Sequence, residues 1–157
     1  SIMLKKYLVL LCLLWVTACD RSEPLGVDQH AQTVSAAWLA DQWLVINYWA
    51  VWCAPCRAEV PELNQMHRDL SDQGVRVLGV NYDQLQDAEL LADSEALGIE
   101  FRVLSHDPAA RFNLPATHGL PTTYIVNPQG EMVRQLQGEQ TAQSLLEVLT
   151  QEGWSAP

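Results

Sequence analysis

The sequence has 157 residues, 48% hydrophobic and 18% charged, with eight glycines and eight prolines, an ordinary globular composition at a length that suits one domain. Nine basic residues against nineteen acidic ones give a net charge of −10, and both lysines, Lys5 and Lys6, precede the first acidic residue, Asp20. A body without lysine and with excess acid repels nucleic acid and anionic lipid headgroups, which argues against a polyanion-binding protein. Cysteines occur only at positions 12, 19, 53 and 56, too few and too clustered for a disulfide-stapled scaffold.

In chain order, Lys5 and Lys6 are followed by an apolar run from Tyr7 to Ala18, the charged and apolar regions of an export signal. The run is short of the roughly 20 residues a bilayer-spanning helix needs. It ends in Val16-Thr17-Ala18-Cys19, which resembles the bacterial lipobox, in which a cysteine is lipidated and becomes the mature N-terminus. Residues 1–18 are thus expected to be a lipoprotein signal peptide and Cys19 the lipid attachment point. Several acyl chains there would anchor firmly where one would not. The competing reading is an ordinary signal cut after Ala18, or an uncut anchor. Asp20, directly after the cysteine, resembles the residue that retains lipoproteins in the inner membrane. The polar residues 19–31, with Pro24 and Gly26, read as a lipidated N-terminus and tether, and residues 32–157 as the folded domain.

Trp43 to Ala50, WLVINYWA, is a short apolar run of the kind buried on both sheet faces. A helix follows from Cys53 to about Gln73, with Val60, Leu63, Met66 or His67, and Leu70 on one stripe and Pro61 inside it. Val75 to Tyr82 is a second buried strand. A helix from about Gln84 to Leu97 places Leu85, Ala88, Leu91 and Ala92 on its apolar side and stops at Gly98. Phe101 to Ser105 is extended. Thr122 to Asn127 and Glu131 to Leu136 form a hairpin across Asn127-Pro128-Gln129-Gly130, whose proline and glycine suit a type I turn. An amphipathic helix from Thr141 to Gln151, built on Leu145, Leu146, Val148 and Leu149, closes the chain. The order β-α-β-α-β-β-α predicts an α/β fold, a mixed central sheet of parallel strands plus a C-terminal antiparallel hairpin, flanked by helices.

The strongest chemical signal is Trp52-Cys53-Ala54-Pro55-Cys56, a Cys-x-x-Cys between a buried strand and a helix. A spacing of three puts both sulfurs on one helix face, within disulfide reach. Cys53 falls at the helix N-terminus, where unpaired N–H groups favour a thiolate, so it is the expected nucleophile. Cys56, a turn further in, is the expected resolving thiol. A zinc half-site would need a second ligand pair, and His30, His67, His106 and His118 show no metal spacing. A purely structural disulfide would close a loop too small to constrain the unfolded chain much. An inactive pair is the third alternative.

With Pro61 and with Gly119-Leu120-Pro121-Thr122-Thr123 before a late strand, this motif resembles the thioredoxin fold. More narrowly, WCAPCRAEVPEL, GVRVLGVNYD and GLPTTYIVNPQGE resemble the membrane-tethered periplasmic thiol-disulfide proteins of the TlpA, ResA and CcmG group. The resemblance covers about Trp43 to Gln151 and makes residues 32–157 a thioredoxin-like domain. It implies that Cys53 attacks and Cys56 resolves, and that Pro121 is a cis-proline beside the disulfide, offering backbone to an extended client; a trans proline opening a strand is the alternative. It also makes Trp52, Ala54, Pro55, Leu120 and Asn47 lining residues, Trp52 shielding the disulfide while Trp49 belongs to the core.

Asn47 stands where cytosolic thioredoxins carry a buried aspartate. Glu59 matches a glutamate that the ResA-like group places near its site; burial would raise its pKa and let it exchange a proton with Cys56. The simpler reading of Glu59 is an acid in the first helical turns. Thr122 departs from the acidic residue that CcmG-like members often carry after the cis-proline. The implied partners are client protein dithiols or disulfides, a DsbD-like membrane thiol reductase as electron donor, and the membrane itself through the lipid anchor. No cofactor is implied, and the location is the periplasmic side of the bacterial cell membrane. Two other functions compete: a peroxidase of the peroxiredoxin class, which normally has threonine where Ala50 stands, and a Cu(I)-binding module using Cys53, Cys56 and His118.

Overall fold

The structure, a computed structural model, describes residues 23–157. The expected signal segment, Cys19 and Asp20 lie outside the described residues. Strands β1 (Trp43–Trp49), β2 (Val75–Asn81), β3 (Arg102–Leu104), β4 (Thr122–Val126) and β5 (Met132–Gln137) form one sheet in the order β3-β2-β1-β4-β5. The pairs β1–β2 and β2–β3 are parallel, whereas β1–β4 and β4–β5 are antiparallel. The α/β class and mixed sheet expected from the chain order, and the thioredoxin-like fold implied by the resemblance, are therefore the observed ones.

Helices α1 (Ala36–Leu39), α2 (Ala54–Leu70), α3 (Asp87–Ala96), α4 (Ala109–Phe112) and α5 (Ala142–Glu152) cover the sheet. One core gathers Ile46, Tyr48, Leu78, Val80, Tyr124 and Val126; the opposite face packs Val45, Val77 and Ile125 against Leu63 and Met66 of α2 and Leu145 and Leu149 of α5. Helix α2 buries Val60, Leu63 and Met66 and runs unbroken through Pro61. Thr141 and Ser144 close a capping box on α5. In the hairpin turn the Gly130 N–H donates to the Asn127 carbonyl at 2.9 Å, and Gly130 takes φ +81°, which a glycine adopts without strain. Among the described residues no helix is long and apolar enough to cross a membrane.

Two expectations are corrected. Helix α3 begins at Asp87 rather than Gln84, because Gln84 sits at φ +57° and breaks the helical phase. Its buried side is consequently Leu90 and Ser94, not Ala88 and Ala92, which are exposed. The Ser94 hydroxyl returns its proton to the Leu90 carbonyl at 2.7 Å, so its burial leaves no orphan.

The described part of the stretch read as a tether is packed. Leu25, Asp28 and Gln29 are buried, and Val27 and Asp28 bridge to Thr33 and Leu104. Gln29 donates to the Phe101 carbonyl at 3.0 Å and accepts from the Val103 N–H at 2.8 Å, while Asp28 pairs with Arg102 at 2.7 Å. The Arg102 guanidinium lies over the Trp38 ring, 4.8 Å from its centroid. The segment thus covers the otherwise open β3 edge of the sheet.

Candidate active site

Strand β1 leaves the sheet after Trp49, and a short turn closed by the Cys53 N–H and the Ala50 carbonyl (3.1 Å) delivers Cys53 to the N-cap of α2. Its Sγ accepts from the Cys56 N–H at 3.3 Å, so one of the orphan amides of the helix start points at the expected nucleophile. Cys53 and Cys56 form a disulfide with Cα atoms 5.2 Å apart. Both are buried, Cys53 at 5% exposure and Cys56 at 2%. They pack with Trp49, Ala50, Leu90 and Val103, and Leu120 closes against the same cluster. Ala54 and Pro55, between the sulfurs, are exposed.

The Leu120–Pro121 peptide bond is cis. Pro121 has no N–H, and its carbonyl already accepts from the Gly138 N–H at 2.8 Å and from the Gln137 amide at 3.4 Å. The bonds from Gly138 and Gln137 go to Pro121 and not to the backbone of Leu120, the residue before the cis bond. Gln137 also accepts from the Thr122 hydroxyl at 3.1 Å, and a Cβ on Gly119 would come within 3.0 Å of its amide nitrogen. Gln137 therefore holds the cis-proline loop from beneath, which its sequence gave no reason to suspect.

Glu59 lies three residues after Cys56 on the same helix face and is fully buried. One carboxylate oxygen accepts from the Asn47 amide at 2.6 Å, the other from the Gln140 N–H at 2.9 Å. Asn47 also donates to the Thr123 hydroxyl at 3.1 Å, across the β1–β4 pairing. No cation among the described residues offsets the burial, which pushes the Glu59 carboxyl up to about 7 against the Gln140 hydrogen bond, with Glu139 adding repulsion. Thr123 and Gln140 were not legible as site residues, since each reaches the network from a distant part of the chain.

Trp52 is 60% exposed; its indole N–H donates to Asp83 at 2.9 Å and its ring meets that of Tyr82 edge-on at 6.5 Å. Trp49 is fully buried, as expected of a core residue. His118 is exposed. Among the described residues no three His, Cys, Asp or Glu side chains are grouped as metal ligands.

A thioredoxin-like fold carrying a Cys-x-x-Cys disulfide at a helix N-terminus, packed against a cis-proline loop, defines the class of thiol-disulfide redox domains. Consistent with this, the chain belongs to the AhpC/TSA family, which matches residues 17–135. It is similar to the thiol-disulfide oxidoreductase ResA of Oceanobacillus iheyensis, 32% identical over 122 residues, covering 76% of this chain and 60% of that one. It is also similar to the thiol:disulfide interchange protein HelX of Rhodobacter capsulatus, 32% identical over 124 residues, covering 77% and 65%. The chain spans less than two thirds of the length of either relative. Among solved structures, a DsbF homologue from Corynebacterium diphtheriae superposes with a TM-score of 0.68 at 28% identity, covering 80% of this chain and 82% of that one. A thiol:disulfide interchange protein from Chlorobium tepidum gives 0.69 at 20% identity, covering 83% and 92%, a likeness of fold. The resemblance to the TlpA, ResA and CcmG group read from WCAPCRAEVPEL, GVRVLGVNYD and GLPTTYIVNPQGE is borne out by these relatives.

Proposed function

We propose that this protein is a thiol-disulfide oxidoreductase, tethered to the periplasmic face of the membrane through lipid on Cys19, that reduces disulfides of client proteins. The observation that carries the reading is the Cys53–Cys56 disulfide at the start of α2, with Leu120 of the cis-proline loop packed on its cluster and a buried, protonatable Glu59 three residues further along the helix. In the reduced domain the Cys53 thiolate, favoured by the helix N-terminus, attacks one sulfur of a client disulfide, and the other client sulfur leaves as a thiolate. Cys56 then gives up its proton, attacks Cys53 Sγ and releases the second client sulfur, leaving the disulfide present here. Glu59, poised near neutrality, takes that proton and returns it when the domain is reduced again. The client lies extended along Leu120 beside cis-Pro121 and gains main-chain hydrogen bonds, an added-strand mode that supplies affinity with little side-chain selection.

Electrons for the next cycle come from a membrane thiol reductase of the DsbD type, the donor implied by the resemblance to the TlpA, ResA and CcmG group, and Asp20 favours the inner membrane as the anchoring site. Reduction of insulin by dithiothreitol, followed by turbidity, tests the activity: the wild type accelerates it, and Cys53→Ser abolishes the acceleration. Equal rates for the two proteins would overturn the proposal.

Membership of the AhpC/TSA family supports one second reading, peroxide reduction at Cys53. Ala50, where that chemistry normally uses a threonine, offers no hydroxyl to orient a peroxide. Direct peroxide consumption with a thiol donor separates the two: rapid turnover would favour the peroxidase.

A further inference from the structure

Asn81 ends β2 at 3% exposure. Its Oδ1 accepts from the Leu85 N–H at 3.2 Å, but its Nδ2 has no partner. Unpaired buried donors are costly and rare, so each one asks what would complete it. The indole nitrogen of Trp49 is also unpaired, yet it is sealed in the core against Gly79, where a Cβ would come within 2.9 Å. Asn81 differs in that it lines a cavity of about 480 Å³, together with Val80, Leu85, Leu104, Ser105 and His106.

The cavity opens at the C-terminal ends of the parallel strands β2 and β3, the end of an open α/β sheet where ligands bind. It reaches the cluster that holds Cys53 and Cys56, because Leu85 both lines it and packs on that cluster. The next residue, Tyr82, donates its N–H to the Trp49 carbonyl at 2.8 Å and sets its ring against Trp52. Gln84, on the same wall, sits at φ +57°, a conformation that persists in a non-glycine residue only when its surroundings hold it.

The chemistry of the lining is selective. Val80, Leu85 and Leu104 supply apolar walls. The Ser105 hydroxyl is engaged by the Val27 carbonyl, the Gln86 amide by the Ser105 carbonyl, and Asp107 by the Tyr48 hydroxyl. Asn81 Nδ2 is the buried donor left to serve a ligand, and it needs an acceptor. Asp107, which lines the same cavity, repels a carboxylate. A neutral amide carbonyl meets both conditions.

We propose that this cavity is a client subsite: it receives one residue flanking the client cysteine engaged by Cys53, with an apolar stem against Val80, Leu85 and Leu104 and an amide carbonyl accepting from Asn81 Nδ2. The inference rests on the oxidoreductase reading above and adds side-chain selection to a backbone-dominated mode of binding.

The test is a competition at Cys53. The full chain with Cys56→Ser is loaded with glutathione as a mixed disulfide and equilibrated with capped cysteine hexapeptides bearing Gly, Leu or Gln on either side of the cysteine. The peptide thiolate attacks the Cys53 sulfur and glutathione leaves as the thiolate, so the exchange involves no net oxidation. Each variant's peptide-to-glutathione ratio is its own reference. We expect Gln peptides to be preferred about tenfold over Gly peptides, the scale of one buried hydrogen bond with its packing, and over Leu peptides by the hydrogen bond alone. Parity of Gln and Leu peptides would overturn the amide-carbonyl assignment and with it the subsite. Asn81→Asp keeps the acceptor for Leu85 and replaces the donor, and Asn81→Ala removes both; in each the preference collapses. An unchanged preference in both variants would overturn the subsite alone. Failure of Cys53 to take up either glutathione or peptide would overturn the subsite and the oxidoreductase reading together.

Discussion

Two buried carboxylates, Asp28 at the sheet edge and Glu59 on α2 three residues after Cys56, are treated in opposite ways. Asp28, 4% exposed, is pushed up by burial, but the Gln32 N–H, the Arg102 guanidinium and the His30 N–H outweigh this and hold it below the usual carboxylate range. Glu59, fully buried, receives an amide and one N–H and, among the described residues, no cation, and burial carries it to about 7. The first arrangement fixes a charge and docks a segment. The second leaves a proton free to come and go near neutrality, which a structural role does not require and thiol exchange does.

The sharpest way to break that contrast is to remove each acid. Asp28→Ala strips Arg102 of its partner and leaves two backbone N–H groups without an acceptor, so it should destabilise the fold by about 2–4 kcal/mol in denaturant unfolding. Asp28→Asn, which can still accept those N–H groups, should cost less than Asp28→Ala. Glu59→Gln should instead slow resolution of the mixed disulfide, by roughly a hundredfold if the carboxylate is the proton acceptor. Stopped-flow tryptophan fluorescence would follow that step.

Acidity separates the two sites further. Asp28 has a depressed folded pKa, so its contribution is present above its ordinary value of 3.8 and is lost as pH falls through the folded one. Glu59 has a raised folded pKa, so between its ordinary value of 4.5 and about 7 the folded state binds more protons and stability falls as pH rises. Glu59→Gln should flatten the stability profile in that window and leave the acid limb unaltered; a profile unchanged from wild type would contradict the assignment. The smallest effect is expected at the rim: Asp83→Ala releases the Trp52 indole from an exposed hydrogen bond and should change stability by less than about 1 kcal/mol.

Which of these features the sequence disclosed depended on how far apart their parts lie. The Cys53–Cys56 pair, its strand and its helix are contiguous, so local periodicity and spacing exposed them, whereas Glu59 was singled out by the resemblance to the ResA-like group. The cis-proline needed the resemblance to a known group, because Gly-Leu-Pro alone does not choose an isomer. What completes the site was hidden: Gln140 reaches Glu59 across 81 positions and Thr123 reaches Asn47 across 76. Residues 24–31 looked like linker because polar residues, Pro24 and Gly26 dominate them. Their order comes from Asp28 and Gln29 bonding to β3 more than 70 positions away. One-turn helices such as α1 and α4 carry too few residues for a period to register.

The central claim is that Cys53 attacks and Cys56 resolves. Mixed-disulfide trapping measures this directly: reduced Cys56→Ser and Cys53→Ser proteins are each incubated with insulin, quenched with acid, and separated on a non-reducing gel. Cys56→Ser should hold insulin as a covalent adduct that dithiothreitol releases, and Cys53→Ser should hold none. A stable adduct on Cys53→Ser with none on Cys56→Ser would contradict the account.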